Sequence, residues 1–263
     1  MEREARELAA QGVKETTLVA QDTAAYGNDL GMADGLPIVV ERVLEAAPAV
    51  PWVRIMYAYP ERISERLVRQ LATLPRLCHY LDLPLQHAHP AVLRRMGRPA
   101  DVQRTRDFVA ALRDAVPDIA IRSTFIVGFP GETEEEFSAL LDFLSEMSFD
   151  HVGVFPYSRE RGTRAASLPN QVSQRTKERR YRVAMERQQA VSLERNRTLV
   201  GRVLPVLIEG VGDDMVVGRS YRDAPEVDGL VFLRGKASVG DMVSARITRA
   251  LEYDLLGEDG GAP

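Results

Sequence analysis

Cysteine is almost absent from this chain, because Cys78 is the only one among 263 residues. A single thiol excludes an internal disulfide and any metal site built from several cysteines of this chain. Lysine is scarce too, with Lys14, Lys177 and Lys236 among 34 basic residues. No apolar run reaches membrane-spanning length, and the acidic, helical start is not a secretion signal. We therefore expect a cytoplasmic protein without membrane contact.

The charges that are present are distributed unevenly. Residues 1–197 hold 27 basic and 27 acidic side chains, whereas residues 198–263 hold 7 basic and 11 acidic ones. The C-terminal part therefore carries the whole net charge of −4. Such a surface repels phosphate backbones and attracts basic partners, although solubility alone also explains it.

Residues 1–158 alternate between strand-like and helix-like patterns. Strands are predicted at 15–20, 52–58, 80–85, 119–127 and 152–157, with helices at 1–11, 37–47, 64–73, 101–116 and 133–147. Ser64 is a plausible N-cap of the helix that it opens. This alternation predicts an α/β fold with a parallel sheet and a functional edge at the C-terminal ends of its strands.

The pattern changes after Pro169. Residues 173–197 form one long polar helix with 8 basic and 3 acidic residues, and short β segments separated by glycine turns follow. About 60 residues of that texture indicate a small β-barrel. The predicted organisation is a partial (β/α) barrel at 1–170, a connecting helix at 171–197, an all-β barrel at 198–258 and a tail at 259–263.

Residues 124–133 carry the most information in the chain. An apolar run ends at Gly128-Phe-Pro-Gly131, and an acidic helix start follows in which Thr133 and Glu136 can form a capping box. Glycines at such a turn let a ligand approach the backbone closely. A plain strand-turn-helix connection is the simpler interpretation of this segment alone.

Polar side chains stand at or near the ends of the other predicted strands as well, where they are expected to line one cavity. Arg122 could pair with a carboxylate, and Asp22 could hold an ammonium or a hydroxyl group. Glu132 and the turn amides could meet a ribose. The candidate binding residues are Gln21, Asp22, Gln86, Arg122, Thr124, Gly128 and Glu132.

Structural interpretations compete with these roles. Asp22 could cap a turn, and His87 could be a hydrogen-bonded structural histidine. Cys78 is expected to be a small packing residue. No nucleophile–histidine pairing, no metal-binding set and no phosphate-cradling G-x-x-x-x-G-K is visible. A lyase or aldolase would want a buried lysine at a strand end, and none of the three lysines follows a predicted strand. The strand ends thus predict a site without naming a reaction or a catalytic residue.

Five stretches resemble the radical S-adenosylmethionine (SAM) methylthiotransferases, most closely the branch that modifies an aspartate of a small-subunit ribosomal protein. The tRNA-modifying relatives share the IVGFPGET turn, but they typically have a P-V-Q-S-G-type sequence where this chain has Pro84-Leu-Gln-His87. They also usually lack the stretch Asp223-Ala-Pro-Glu-x-Asp-Gly. The matching stretches are 18–27, 80–87, 122–133, 152–166 and 218–229.

The resemblance implies a chemistry and a set of cofactors. A 4Fe–4S cluster on a C-x-x-x-C-x-x-C loop binds SAM and cleaves it to a radical that abstracts hydrogen from the aspartate β-carbon. A second cluster supports sulfur delivery, and another SAM supplies the methyl group. Cys78 matches no cluster position. We therefore expect this chain to be the C-terminal part of such an enzyme, without the first barrel strand and inactive alone.

The resemblance also suggests roles for the candidate residues. Gln21 and Asp22 would lie near the methionyl amino group of SAM. Gln86, Arg122 and Thr124 would lie near its carboxylate and ribose, and Gly128 and Glu132 would shape the turn beside the nucleoside. The C-terminal barrel would be a TRAM domain that recognises the substrate.

Three functional readings remain open. An acidic TRAM domain suits a basic ribosomal protein better than tRNA, which favours the ribosomal-protein enzyme. A tRNA methylthiotransferase fragment is the first alternative. A non-catalytic module that binds its partner through residues 198–258 is the second.

Overall fold

The computed structural model describes residues 1–260. No helix in that range is long and apolar enough to cross a membrane. In chain order the elements are α1 Glu2–Ala10, β1 Glu15–Leu18, α2 Gly35–Ala46, β2 Trp52–Ile55, α3 Glu65–Thr73, β3 Tyr80–Gln86, α4 Pro90–Met96, α5 Val102–Ala115, β4 Ala120–Val127, α6 Glu134–Met147, β5 His151–Pro156, α7 Gln174–Arg197, β6 Val203–Val211, β7 Met215–Ser220, β8 Val231–Arg234, β9 Met242–Ala250 and β10 Leu255–Asp259.

Strands β1 to β5 run parallel and lie side by side in chain order. β1 pairs with β2, and β3, β4 and β5 form a three-stranded sheet. Backbone bonds join the two groups, with Cys78 N donating to Val53 O at 2.9 Å and Ala58 N to Asp82 O at 2.9 Å. β1 pairs with β2 on one side only, so it is an edge strand of this sheet.

Side chains alternate between the two faces of this sheet, as the pleat requires. One face packs apolar residues under the helices, where Phe125 lies 6.3 Å and 6.0 Å from the ring centroids of Phe143 and Phe149. We call the opposite face the inner face. Paired residues lie on the same side, which assigns Arg54, Asp82 and other alternate positions to it.

Strands β6 to β10 close into a separate barrel in the order β10-β8-β7-β6-β9. Its interior is apolar, with Val206, Ile208, Val231 and Ile247 almost fully buried. Closure removes the exposed sheet edges that a short open sheet would present. The predicted class, an α/β sheet followed by a small all-β barrel, is confirmed.

The C-terminal barrel packs on the half of the inner face where the parallel strands begin. Leu207 and Ala224 of the barrel region join an apolar cluster with Trp52, Tyr80 and Ala120. The half of the inner face where the strands end is not part of this cluster. The molecule therefore has a covered end and an open end, and we use the names covered half and open half for them.

Some local details differ from the sequence-based prediction. Helix α4 was not predicted, because seven residues opened by Pro90 give little periodicity. The second strand ends at Ile55 rather than Ala58, because the backbone turns at Tyr57, which has a φ of +57°. Strand β10 extends through Asp259, the first residue of the predicted tail, and residues 261–263 lie outside the described residues.

Candidate functional site

Three neighbouring strands end in a left-handed backbone conformation. Tyr57 follows β2 with a φ of +57°, Gln86 closes β3 with +69°, and Gly128 follows β4 with +72°. Non-glycine residues rarely adopt such angles, and those that do cluster at ligand-binding sites. The edge formed by these strand ends is therefore the leading candidate site on structural grounds as well.

The turn after β4 is held together by Glu132, whose side chain is fully buried. Its carboxylate accepts from the Gly128 amide and pairs with Arg180 at 3.0 Å. His87 contacts the other oxygen at 3.3 Å, and its Nδ1 accepts from the His89 amide at 3.0 Å, which assigns the hydrogen to Nε2. His87 is thus a structural histidine, and Glu132 shapes the turn with no exposed surface to offer a ribose.

Gly128 has a second reason to be glycine. A Cβ at this position would lie 2.4 Å from Cγ of Lys177, which crosses the turn from helix α7. The following helix begins with the predicted capping box, in which Thr133 N donates to Glu136 at 2.9 Å and Glu136 N to Thr133 at 3.2 Å. Both observations fix the turn rather than leave it mobile.

The open half of the inner face combines an aromatic ring with small and polar groups. Phe155 is 54% exposed and pairs in register with Ile126. Thr124 pairs with Gly153, and a Cβ at Gly153 would lie 3.2 Å from the Phe155 ring, so this glycine makes room for the ring. Gln86 closes β3 at the same edge, where the register of β3 against β4 shifts, so its pairing with Phe125 does not place it on the inner face; its side-chain amide donates to Pro84 O at 3.5 Å.

Arg122 is committed to protein carboxylates in this structure. Its Nη1 donates to Asp82 and to Thr124, both at 3.1 Å, and its Nε lies 3.3 Å from Asp228 of the C-terminal barrel region. Asp228 also accepts from the Tyr80 hydroxyl at 2.7 Å. Arg122 therefore ties the parallel sheet to the C-terminal barrel region, and a ligand carboxylate would have to compete with two buried acids for it.

Asp82 is the least satisfied member of this group. Its residue is fully buried, and one carboxylate oxygen has no hydrogen-bond partner. Burial raises the pKa of Asp82, although Arg122 opposes the shift. Burial also raises the pKa of the Tyr80 hydroxyl well above its usual value, and the charges of Asp228 and Asp82 raise it further.

Gln21 and Asp22 lie beyond β1, away from the Arg122 group. Gln21 is exposed, whereas Asp22 accepts from Tyr59 N at 3.3 Å and lies 3.3 Å from Arg62 Nε. Asp22 therefore caps the loop after β2 in this structure. The predicted residues thus fall into three groups, which are Gln21 with Asp22, Gln86 with Arg122 and Thr124, and Gly128 with Glu132.

Sequence reasoning missed Lys177, which reaches the strand ends from a helix. Its Nζ donates to Tyr157 O at 2.8 Å and lies 4.9 Å from the centre of the Tyr157 ring. Lys177 follows no strand in sequence, yet it lies at two strand ends in space. A long polar helix of this kind gives no sign in sequence of which residues its side chains will contact.

The residues present do not fit an iron–sulfur cluster. Cys78 is buried, and burial raises the pKa of its thiol to about 12, which disfavours a thiolate ligand. No group of three potential metal ligands exists within residues 1–260. Chemistry at a cluster would need ligands other than those that this chain supplies.

Comparison with protein families agrees with this architecture. The model of the radical SAM superfamily matches residues 1–144, and the TRAM domain model matches residues 200–259. The first match covers more than half of the chain. The chain belongs to the radical SAM superfamily. The radical SAM match covers strands β1 to β4 of the parallel sheet, and the TRAM match covers the closed barrel.

Among characterised relatives, the chain is similar to enzymes named ribosomal protein uS12 methylthiotransferase RimO. It is 58% identical to the protein of Roseiflexus sp. over 99% of this chain and 56% of that protein. It is 47% identical to the protein of Geobacter sulfurreducens over 97% of this chain and 58% of that protein. The chain thus spans a little over half of the length of these relatives.

A solved structure supports the fold. Coproporphyrinogen III oxidase HemN from Escherichia coli, described as a radical SAM enzyme, superposes with a TM-score of 0.52 over 94% of this chain and 58% of that chain. The two sequences are 14% identical, so this likeness concerns the fold alone.

Proposed function

We propose that this chain forms part of a methylthiotransferase that adds a methylthio group to the β-carbon of an aspartate in the ribosomal protein uS12. The observation that carries the proposal is the 58% identity to a RimO enzyme along nearly the whole chain. The sequence stretch that distinguishes the ribosomal-protein branch supports it from a second direction. Within this stretch, Asp223 and Asp228 pair with His151 and Arg122 across the two barrels.

The open half would receive SAM, which supplies radical chemistry and a methyl group in this class of enzyme. The exposed ring of Phe155 offers a surface on which a purine can stack, and Thr124 pairs with Gly153 on the same face. Gln86 would offer a hydrogen-bonding group from the end of β3. Gly128 and Glu132 would keep the adjoining turn in shape. Among the predicted residues, Gln21 and Asp22 would form the far rim of the site.

The acidic C-terminal barrel would guide the basic protein substrate. Its hairpin between β6 and β7 exposes Asp213 and Asp214, so this tip carries negative charge without a nearby ion pair. Complementary charge accelerates encounter and depends on salt. A substrate that belongs to the ribosome would place the protein in the cytoplasm.

Binding measurements test the proposal with the chain as it is. S-adenosylhomocysteine should bind, and Phe155→Ala should weaken it about tenfold or more, in keeping with one to three kcal/mol for the loss of a stacked base. The control Phe232→Ala removes an aromatic side chain from the C-terminal barrel instead. Equal affinity in wild type and Phe155→Ala would refute the cofactor site.

The protein partner requires a separate measurement. Purified uS12 should bind the chain at moderate salt, and Asp213→Lys with Asp214→Lys should slow its association. The matched control converts Asp29 and Asp34, which lie far from the barrel in sequence, to lysine. Tight and salt-sensitive tRNA binding with no affinity for uS12 would overturn this assignment.

One observation favours the tRNA alternative. The loop after β5 carries Arg159, Arg161 and Arg164, which line an open cavity of about 850 Å³. A basic rim at the substrate entrance suits a phosphate backbone. In that case, replacing these arginines with glutamine should reduce the salt dependence of tRNA binding by about one unit of slope for each lost contact.

The non-catalytic reading makes a different prediction. A pure binding module would hold its partner through residues 198–258 and show no SAM affinity, even when linked to the additional length that its relatives possess. The S-adenosylhomocysteine measurement therefore separates this reading from both enzymes.

A further inference from the structure

Lys177 is a buried cation without an acidic partner. It is 7% exposed, its hydrogen bond goes to a backbone carbonyl, and it has no ion pair within residues 1–260. An ammonium carries three donors, and buried charges are ordinarily paired. Buried arginines elsewhere in the molecule follow that rule, since Arg54 pairs with Glu15 and Arg222 with Asp150.

The surroundings of Lys177 are basic. Burial lowers the pKa of its ammonium, and the charge of Arg159 lowers it further. Arg159, Arg161 and Arg164 line a cavity in the loop after β5, and none of them forms an ion pair in the described part of the chain. The N-terminus of the 24-residue helix α7 adds its dipole, because Lys177 lies in its first turns. An anion at this place would offset all of these positive charges.

The position of Lys177 is that of a ligand-binding group. Its stem crosses the Gly128 turn at the end of β4, and its ammonium meets Tyr157 directly after β5. The buried hydroxyl of the same tyrosine has no hydrogen-bond partner among residues 1–260. Ligands of parallel α/β sheets bind at this edge. Arg122, the other cation on these strands, is already held by Asp82 and Asp228.

We propose that Lys177, with Arg159 beside it, forms a carboxylate-binding subsite at the C-terminal ends of β4 and β5. The source of the carboxylate rests on the proposed function, which involves two of them. One is the side chain of the substrate aspartate, and the other belongs to the methionine part of SAM. In either case the ammonium holds the carboxylate in place and takes no part in bond making.

The scarcity of lysine makes this subsite directly observable. Labelling the full chain with [13Cε]lysine gives three side-chain signals, and the exposed Lys14 and Lys236 serve as internal references. The variant Lys177→Met identifies the relevant signal by its loss. The probes are N-acetyl-aspartate N-methylamide, the corresponding asparagine compound, and S-adenosylhomocysteine.

We expect a carboxylate probe to shift the Lys177 signal saturably and to leave the other two in place. A response to the aspartate compound but not to the asparagine compound assigns the subsite to the protein substrate. A response to S-adenosylhomocysteine alone assigns it to the cofactor. Lys177→Met should weaken the responsible probe about ten- to hundredfold, the range for a hydrogen bond to a charged group, whereas Lys177→Arg should restore much of the affinity.

The control variant Lys236→Met should leave probe binding unchanged. The proposal fails if no carboxylate probe shifts the Lys177 signal, or if the asparagine compound shifts it equally. This reading of wild-type protein stands even if Lys177→Met does not fold. If S-adenosylhomocysteine binds but neither it nor the aspartate compound shifts the Lys177 signal, the subsite is refuted and the proposed function stands. A Lys177 shift with the aspartate compound, in a chain that does not bind uS12, would support the subsite and contradict the proposed protein partner.

Discussion

The covered half of the inner face and the strand ends differ in whether their buried charges are paired. In the covered half, buried acids and bases are matched across the two barrels, as with Asp150 between Arg195 and Arg222 and Arg122 between Asp82 and Asp228. At the ends of β4 and β5, Lys177 of helix α7 has no acidic partner within residues 1–260. Matched buried charges fix how two parts fit together, whereas an unmatched charge at a strand end is available to a ligand.

The division agrees with the direction of the strands. In parallel α/β barrels the beginning of the strands serves stability and the end serves binding. Here the backbone shows the same contrast, because Tyr57, Gln86 and Gly128 with positive φ all lie at strand ends. Variants in the covered half should therefore affect folding first, and variants in the open half should affect binding first.

The largest loss of stability is expected at Asp150. Its buried carboxylate accepts from the Ile121 amide at 2.9 Å and pairs with Arg195 at 3.0 Å and with Arg222. Asp150→Asn leaves two arginines without their partner and should lower the free energy of unfolding by about 3–5 kcal/mol. Urea denaturation measures the loss, and the exposed Asp214→Asn should change it by less than about 0.5 kcal/mol.

A loss at Asp150 no greater than at Asp214 would mean that the covered half does not depend on matched charges. The pH profile gives a second check. Burial acts to raise the pKa of Asp150, but Arg222 and Arg195 lower it below its usual value. A lowered folded-state pKa contributes stability that is present above the unfolded pKa and disappears as the pH falls through the folded one. Asp150→Asn should remove that acid-side loss.

The next largest loss of stability is expected at Gly128, whose turn packs against Lys177. Gly128→Ala combines a φ of +72° with a Cβ that is 2.4 Å from Lys177 Cγ, and should cost about 2–4 kcal/mol. Gly12→Ala has a φ of +79° and nothing within 4 Å, so it should cost only the backbone strain of about 1–2 kcal/mol.

A double-mutant cycle separates strain from collision. In a Lys177→Ala background the colliding Cγ is gone and a Cβ contact at 3.2 Å remains, so Gly128→Ala should cost clearly less than in the wild type, though no less than Gly12→Ala. Chemical denaturation of the four variants gives the coupling energy. A coupling energy near zero would contradict the close contact between the turn and helix α7.

The sequence was sufficient to predict the order of the strands and helices, because their periodicity is local. It was also sufficient for the capping box of Thr133 and Glu136. It was not sufficient for the contacts that cross the chain. Arg122 and Asp228 are 106 positions apart, and Lys177 meets a strand end from a helix whose polar sequence shows no buried stripe.

The position of the candidate residues at strand ends was predictable from the sequence, whereas their contacts were not. Strand direction correctly indicated the edge at which Gln86 and Gly128 lie. Propensity could not tell that Glu132 turns inward to bind a backbone amide, and it left open whether Asp22 caps a turn or binds a ligand. Those outcomes depend on which hydrogen-bond partners surround each carboxylate in the folded chain. A single sequence does not show such long-range contacts.

A smaller, pH-dependent effect is expected at Asp82, which contrasts with Asp150. Its pKa is raised, so the folded state holds a proton that the unfolded state has released, and stability falls as the pH rises through that window. Asp82→Asn removes the buried charge and should flatten this fall. Unfolding curves between about pH 4 and pH 7 test the sign, and a variant that steepens the fall would contradict the raised pKa.

The smallest change in stability is expected at Tyr57. Variants at this position test whether its left-handed backbone conformation is strained. Tyr57→Gly and Tyr57→Ala both remove the side chain, but glycine accepts a φ of +57° and alanine does not. The glycine variant should therefore be the more stable of the two by about 1 kcal/mol in thermal or urea unfolding. Ser148, with a φ of +46° at the end of α6, offers the same pair of variants away from the site.

If S-adenosylhomocysteine affinity falls equally in Tyr57→Gly and Tyr57→Ala, the tyrosine ring matters for binding. If only the glycine variant loses affinity, the fixed backbone conformation matters. No loss in either variant would remove Tyr57 from the candidate site and leave the left-handed strand end as a structural feature of the turn.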